Sequence, residues 1–196
     1  GVSRMIRWAA FALLCAFYGA YLWKLLSQRR QGITTNVMIR GQKSRRAYRI
    51  GIMLVLTTYL TCAVQFLSCF WSGHMGPVLV PEALRICGLV LMAAGTAVFI
   101  AAFRTLKDSW RAGIDEGQKT ELVTDGVYRV SRNPAFLGFD QLGLGSALAL
   151  GSAVLFAAVG AVAIMIHLQI LEEEKHLAKM FGAPYLTYKK GVRRYL

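Results

Sequence analysis

An all-α integral membrane fold with five transmembrane helices is predicted by three observations: composition, the lengths of the uncharged runs, and the placement of the charges. Hydrophobic residues make up 56% of the chain and charged residues 17%, and the charges are clustered rather than dispersed. Trp8 to Leu26 carries only Lys24, close enough to one end for its ammonium to snorkel. Ile50 to Trp71 is 22 residues without a formal charge, and Ile86 to Phe103 is 18. A bilayer core takes roughly 20 apolar residues as helix, so these are three spans. Ala135 to Leu171 is 37 residues with one charge, Asp140. As a single helix it would be about 55 Å long, nearly twice the hydrocarbon thickness. It must turn back, and Gly151-Ser152 is the place, which gives a short fourth span and a fifth. The first span lacks a small-residue cleavage site and is read as retained, not as a signal peptide.

The formal charge is +13, and its placement sets the expected topology. Seven Arg or Lys and no acid lie between Gln28 and Arg49. The Ser72 to Pro81 connection and the Gly151 turn have no Arg or Lys, whereas the 104–133 segment has six and the tail beyond Leu171 six more. Basic and uncharged connections alternate, so the positive-inside rule puts the C-terminus in the cytoplasm and the N-terminus outside. The basic run then serves topology and attraction to anionic lipid, worth about 1 kcal/mol per residue near the surface. No basic-aromatic groove pattern argues for nucleic acid. Cys15, Cys62, Cys69 and Cys87 all lie in apolar spans with no C-x-x-C, so neither a metal nor a redox site is expected.

The chain reads as one domain, residues 1–196. A plain three-span scaffold (1–103) precedes a chemically loaded hairpin region (104–196). Arg104 to Asn133 is too long for an idle connector and carries five acids with its six bases. Asn133-Pro134 reads as a helix start, Asn at the cap and Pro at the first position, where its missing N–H costs nothing. The positive end of that helix dipole suits an anion such as a carboxylate. The fifth span should continue to Phe181, with Gly182 as its C-cap and Pro184 blocking continuation. Tyr185, Tyr188, Val192 and Tyr195, set among Lys189, Lys190, Arg193 and Arg194, suggest an amphipathic tail at the headgroup level. Helical spacing puts Gln169, Glu173 and His176 on one face of the fifth span and His167, Leu171 and Glu174 on the other. The adjacent carboxylates Glu173 and Glu174 therefore cannot serve one site. Gly143 and Gly145 form the sequence's only G-x-G, inside a span, where packing is the expected role.

The order of motifs in this half resembles the isoprenylcysteine carboxyl methyltransferase family over about residues 110 to 190. The matching pieces are L-V-x-x-G-x-Y (Leu122, Val123, Gly126, Tyr128), then R-x-P with an aromatic two residues on (Arg132, Pro134, Phe136). Paired Glu (Glu173, Glu174), Phe-Gly (Phe181, Gly182) and Tyr-x-x-Tyr (Tyr185, Tyr188) complete the set. Each piece alone is weak; in this order around a membrane hairpin the set is specific. The resemblance implies S-adenosylmethionine as cofactor, contacted by Thr120, Glu121, Leu122, Val123, Tyr128, Asn133, Pro134, Ala135, Phe136 and Glu173. It also implies a cytoplasmic cofactor-binding loop and tail. Glu173 would accept from the cofactor's ammonium, the helix start at Asn133 would receive its carboxylate, and backbone near Leu122 would edge the adenine. Two departures stand out. The family's R-H-P is R-N-P here, and the family's Arg four residues before the cofactor-binding Glu, thought to hold the substrate carboxylate, is Gln169.

The expectation is direct methyl transfer to a lipidic or small hydrophobic acceptor (carboxylate, thiol or amine) delivered by the membrane. Arg132 and Glu173 are the residues expected to carry the chemistry, and Gln169 and Arg132 to meet the substrate. Arg132 has two readings, holding substrate or pinning the loop. The rivals are an NADPH-dependent membrane reductase of sterol-reductase-like architecture, which would want extra bases near Lys119, and a non-catalytic protein retaining the fold.

Overall fold

A computed structural model describes residues 1–34, 38, 43–71, 78–110 and 121–196. Among these the chain is all-helical, with six helices: α1 (Val2–Arg30), α2 (Arg45–Phe70), α3 (Glu82–Leu106), α4 (Pro134–Leu150), α5 (Ala153–Phe181) and α6 (Ala183–Gly191). Short 3-10 turns cover Lys107–Ser109 and Gly126–Arg129. Four helices, α1, α2, α3 and α5, are long and apolar enough to cross a membrane. At 17 residues α4 rises only about 26 Å, consistent with the short fourth helix expected from the charge-free run.

The breaks fall where the glycines stand. Gly151 ends α4 in the left-handed conformation at φ 69, Gly182 separates α5 from α6 at φ 58, and Pro184 sits in the first turn of α6. Helix α4 begins at Pro134, as the Asn-Pro pair predicts, but its cap chemistry differs. The Asn133 side chain makes no capping bond to α4; its Nδ2 donates instead to Arg194 O at 3.1 Å.

Helix α4 lies against α3 at backbone contact, because glycines face each other on both. A Cβ on Gly145 would sit 2.6 Å from Gly88 O, and one on Gly95 would sit 2.7 Å from Gly138 O. Gly143 abuts Val159 of α5, so the G-x-G of this span is a packing device. Arg85, buried at the start of α3, donates from Nε to Ala149 O at 2.8 Å and satisfies a carbonyl at the end of α4. The aromatic centre joins three helices: Phe17 of α1 lies 4.6 Å from Phe99 of α3 and 4.7 Å from Phe139 of α4, ring centre to ring centre. Lys24 is buried, with its ammonium 6.0 Å above the Phe103 ring.

The C-terminal tail departs from the amphipathic reading. Helix α6 stops at Gly191, so Val192 and Tyr195 do not continue its face. Beyond it the chain runs beside Ser131 as an isolated parallel bridge with Arg193. Tyr185 is 1% exposed, packed inward instead of lying at a headgroup surface. Carbonyls of Lys189, Val192, Arg193 and Arg194 accept hydrogen bonds from Ser131, Arg132 and Asn133, which ties the tail to the segment that precedes α4.

Candidate active site

The site is assembled where the start of α4, the C-terminal end of α5 and the tail converge. Glu174 is its structural anchor. Its carboxylate is 4% exposed and receives Arg132 NH2 at 2.6 Å, Arg194 Nε at 2.9 Å and Lys189 Nζ at 3.1 Å. Arg132 also donates from NH1 to Lys189 O at 3.1 Å and to Val192 O. Its backbone N–H meets Arg193 O at 2.9 Å. Arg132 thus pins the tail to the head of α4. Its Nε is buried without a partner, although the residue lines the cavity described next.

A cavity of about 620 Å³ runs from this region into the helix bundle. Glu121, Leu122, Val123 and Tyr128 line it from the segment before α4, with Arg132 and Asn133 beside them. Ala135 and Phe136 contribute the first turn of α4, and Glu173 the wall from α5. Nearly every residue implicated by the sequence therefore faces one space. Pro134 is buried behind the first turn and does not line it, and Thr120 lies outside the described residues.

Glu173 and Glu174 diverge as helical periodicity requires, one to the cavity and one to the clasp. His176 shares the cavity face with Glu173. Gln169 lies behind Glu173 and not on the wall where an acceptor would meet it. It is 2% exposed and donates from Nε2 to Glu173 Oε1 at 3.0 Å, so it orients that carboxylate. Glu172 leaves the site altogether, pairing with Lys175 at 2.8 Å and Arg46 at 3.3 Å.

The phenols around the cavity are donors, not bases. Tyr188 Oη donates to Tyr128 O at 2.6 Å. Burial pushes the Tyr185 and Tyr188 hydroxyls up to about 12. It also pushes Tyr128 well above its ordinary value, with the Glu173 carboxylate adding to the effect. All three stay neutral across the physiological range.

Sequence reasoning missed half of the wall. Tyr18, Tyr21 and Leu25 of α1 and Leu54, Thr58 and Cys62 of α2 line the same cavity. So do Trp110 and the tail residues Tyr185 and Tyr188. Polar side chains inside a span carry a default functional reading, and Tyr18 and Thr58 offered that signal. Leu22 and Tyr59 line the cavity while being 55% and 71% exposed, so the space opens outward between α1 and α2.

Comparison with known proteins agrees with this architecture. The family model described as phospholipid methyltransferase matches residues 84–184. The chain is 28% identical over 162 residues to protein-S-isoprenylcysteine O-methyltransferase A of Arabidopsis thaliana, covering 81% of this chain and 77% of that protein. It is 25% identical over 132 residues to the protein-S-isoprenylcysteine O-methyltransferase of Dictyostelium discoideum, covering 66% of this chain and 56% of the relative. The Schizosaccharomyces pombe enzyme of the same name is 38% identical over 74 residues, which cover 36% of this chain and 30% of that protein. The chain thus spans less than two thirds of the latter two relatives. With all but the first two residues of α3, and the whole of α4 and α5, inside the matched region, this chain belongs to the phospholipid methyltransferase family of S-adenosylmethionine-dependent membrane methyltransferases.

Proposed function

We propose that the protein transfers a methyl group from S-adenosylmethionine to a lipidic or small hydrophobic acceptor that reaches the cavity from the bilayer. The observation that carries this reading is a single cavity with two chemically different ends. One end is polar, formed by Glu173, Arg132 and the first turn of α4; the other is an apolar arm opening between α1 and α2. Five spans with the N-terminus outside and the C-terminus cytoplasmic would put the polar end at the cytoplasmic surface.

The residues present fit the cofactor. A 620 Å³ space lies within the range of small-molecule sites. The Glu173 carboxylate offers an acceptor for an ammonium, oriented by Gln169. The buried, unpartnered Arg132 Nε and the uncapped first turn of α4 at Ala135 and Phe136 offer donors for a carboxylate. Glu121, Leu122 and Val123, with Thr120 before them, would edge the adenine. When bound, S-adenosylmethionine supplies a methyl on a sulfonium already activated toward nucleophiles. The chain then has to align the acceptor and exclude water. A carboxylate acceptor needs no general base, which agrees with tyrosines held neutral around the cavity; a thiol or amine would call on His176 or Glu173.

The relatives' names make the carboxylate of an isoprenylated cysteine the first acceptor to assay. Gln169, in place of the family's Arg, adds no positive charge beside Glu173, and Arg132 is committed to the clasp with Glu174, so poor turnover of that acceptor is expected. Calorimetric titration of the purified protein with S-adenosylmethionine and with NADPH tests the reading. Saturable binding of the former, followed by labelled methyl transfer to a farnesylated cysteine analogue or another lipidic acceptor, would support it. Binding of NADPH alone would overturn it.

A further inference from the structure

We propose that Tyr195 is a positioning residue for the head of α4. It fixes the tail to α5 through His167, so that the tail's carbonyls hold Arg132 and Asn133 in place; the inference rests on the cofactor site proposed above. Three consecutive tail residues make three different attachments. Arg193 O accepts the Arg132 N–H at 2.9 Å. Arg194 O accepts Asn133 Nδ2 at 3.1 Å and Ser131 Oγ at 3.3 Å, while the Arg194 guanidinium meets Glu174 at 2.9 and 3.0 Å. Tyr195 Oη and His167 Nδ1 lie 2.6 Å apart in a hydrogen bond, and the two rings stack with 25° between their planes.

The tail needs such a pin. Beyond Gly191 the backbone leaves the helix, with Val192 extended at φ −124 and ψ 134, so side chains must supply its register. A segment with few bonds of its own opens locally at low cost. The clasp alone is a weak restraint on it, because Arg194 is 33% exposed and water and salt screen its pair with Glu174. His167 and Glu174 share one face of α5, and the seven residue steps between them correspond to about 10 Å. Tyr195 therefore reaches past the clasp toward the apolar part of α5. His167 is exposed on that helix, and on a membrane span such a surface meets lipid, which offers no competing hydrogen bond. Burial raises the Tyr195 hydroxyl above its ordinary value, with Asp140 of α4 adding to the effect, so the phenol keeps its proton and can donate it to the ring nitrogen. Parting the pair strands two polar groups where water does not reach them.

The test uses the full chain and two readouts: hydrogen–deuterium exchange over residues 131–133, and calorimetric titration with S-adenosylmethionine. Tyr195→Phe keeps the ring and removes the bond; His167→Leu removes it from the other side. Each should speed exchange at the Arg132 amide and weaken cofactor binding roughly two- to tenfold, the scale of one net hydrogen bond. Exchange across residues 138–148 of α4 should stay as in the native protein. The double variant should be no worse than the weaker single variant, since the same bond is lost in all three. His167→Asn, whose amide oxygen can accept from Tyr195, should restore both readouts, whereas a loss of ring packing alone would not be rescued. Leu186→Ala, on the 49% exposed face of α6, should change neither. Native affinity in whichever single variant remains folded by thermal melt, or losses that add in the double variant, overturn the proposal. Exchange that responds as expected while no form, native included, binds S-adenosylmethionine would support the pin and count against the proposed reaction.

Discussion

Glutamine in place of Glu173 and, separately, in place of Glu174 tests the division of labour between two carboxylates that are neighbours in sequence. Glu173 faces the cavity and accepts a hydrogen bond from Gln169 Nε2 at 3.0 Å. The Glu173→Gln amide keeps the shape and loses the charge, so what should disappear is the charge-assisted hydrogen bond proposed above to the cofactor's ammonium. That loss is worth about 1.5–3 kcal/mol, or roughly 10- to 150-fold in Kd. Folding should change little, since Glu173 stands outside the clasp in which Glu174 holds Arg132, Arg194 and Lys189. Glu174 is the reverse case. Arg132 and Glu174 side chains are 8% and 4% exposed, and removing the anion leaves a buried guanidinium uncompensated. Breaking a buried pair costs about 3–5 kcal/mol. Arg194 and Lys189 are 33% and 40% exposed, so their shares are screened and the lower figure applies. Titration calorimetry with S-adenosylmethionine and thermal melting of each purified variant provide the two measurements. Glu173→Gln should lose affinity at nearly constant Tm, and Glu174→Gln should lose Tm while the folded fraction still binds. Equal affinity losses in both variants, or a collapse of Tm in Glu173→Gln alone, would refute the assignment of one carboxylate to the site and the other to the clasp.

Three further outcomes follow from the same geometry. Gly145→Ala would set a Cβ 2.6 Å from Gly88 O and force α3 and α4 apart, costing about 1–3 kcal/mol or more; a lowered Tm checks it, and an unchanged one would deny the backbone contact. Burial raises Tyr188 from 10.0 to about 12, so the folded state keeps its proton longer than the unfolded state. The stability this contributes is fully present below pH 10 and is lost between pH 10 and about 12. Tyr188→Phe should make the alkaline fall in Tm shallower across that window, and an identical fall in both proteins would count against the buried hydroxyl. For topology, a cysteine introduced at Met5, 70% exposed, should react with an impermeant maleimide on intact cells, and one at Leu196, 66% exposed, should be protected until the cells are opened; the opposite pattern would reverse the orientation.

Local chemistry determined much of this protein from the sequence alone. Charge-free runs gave the long helices, and Gly151 and Gly182 marked the breaks because left-handed backbone favours a residue without a Cβ. The head of α4 was legible at Asn133-Pro134, and the 3.6-residue period separated Glu173 from Glu174 before any contact was known. The tertiary structure alone decided what those faces meet. Tyr185 reads as an interfacial aromatic until the tail folds back beside Ser131 and buries it. Asn133 reads as a cap until Arg194 O, 61 positions away in the chain, takes its amide. Gln169 reads as an acceptor contact until its bond to Glu173 sets it behind the wall. The apolar arm had little signature beyond Tyr18 and Thr58, polar residues within spans. A cavity is space left between helices, fixed by how α1 and α2 diverge around Tyr18 and Tyr59, and periodicity within one helix carries no record of the gap to the next.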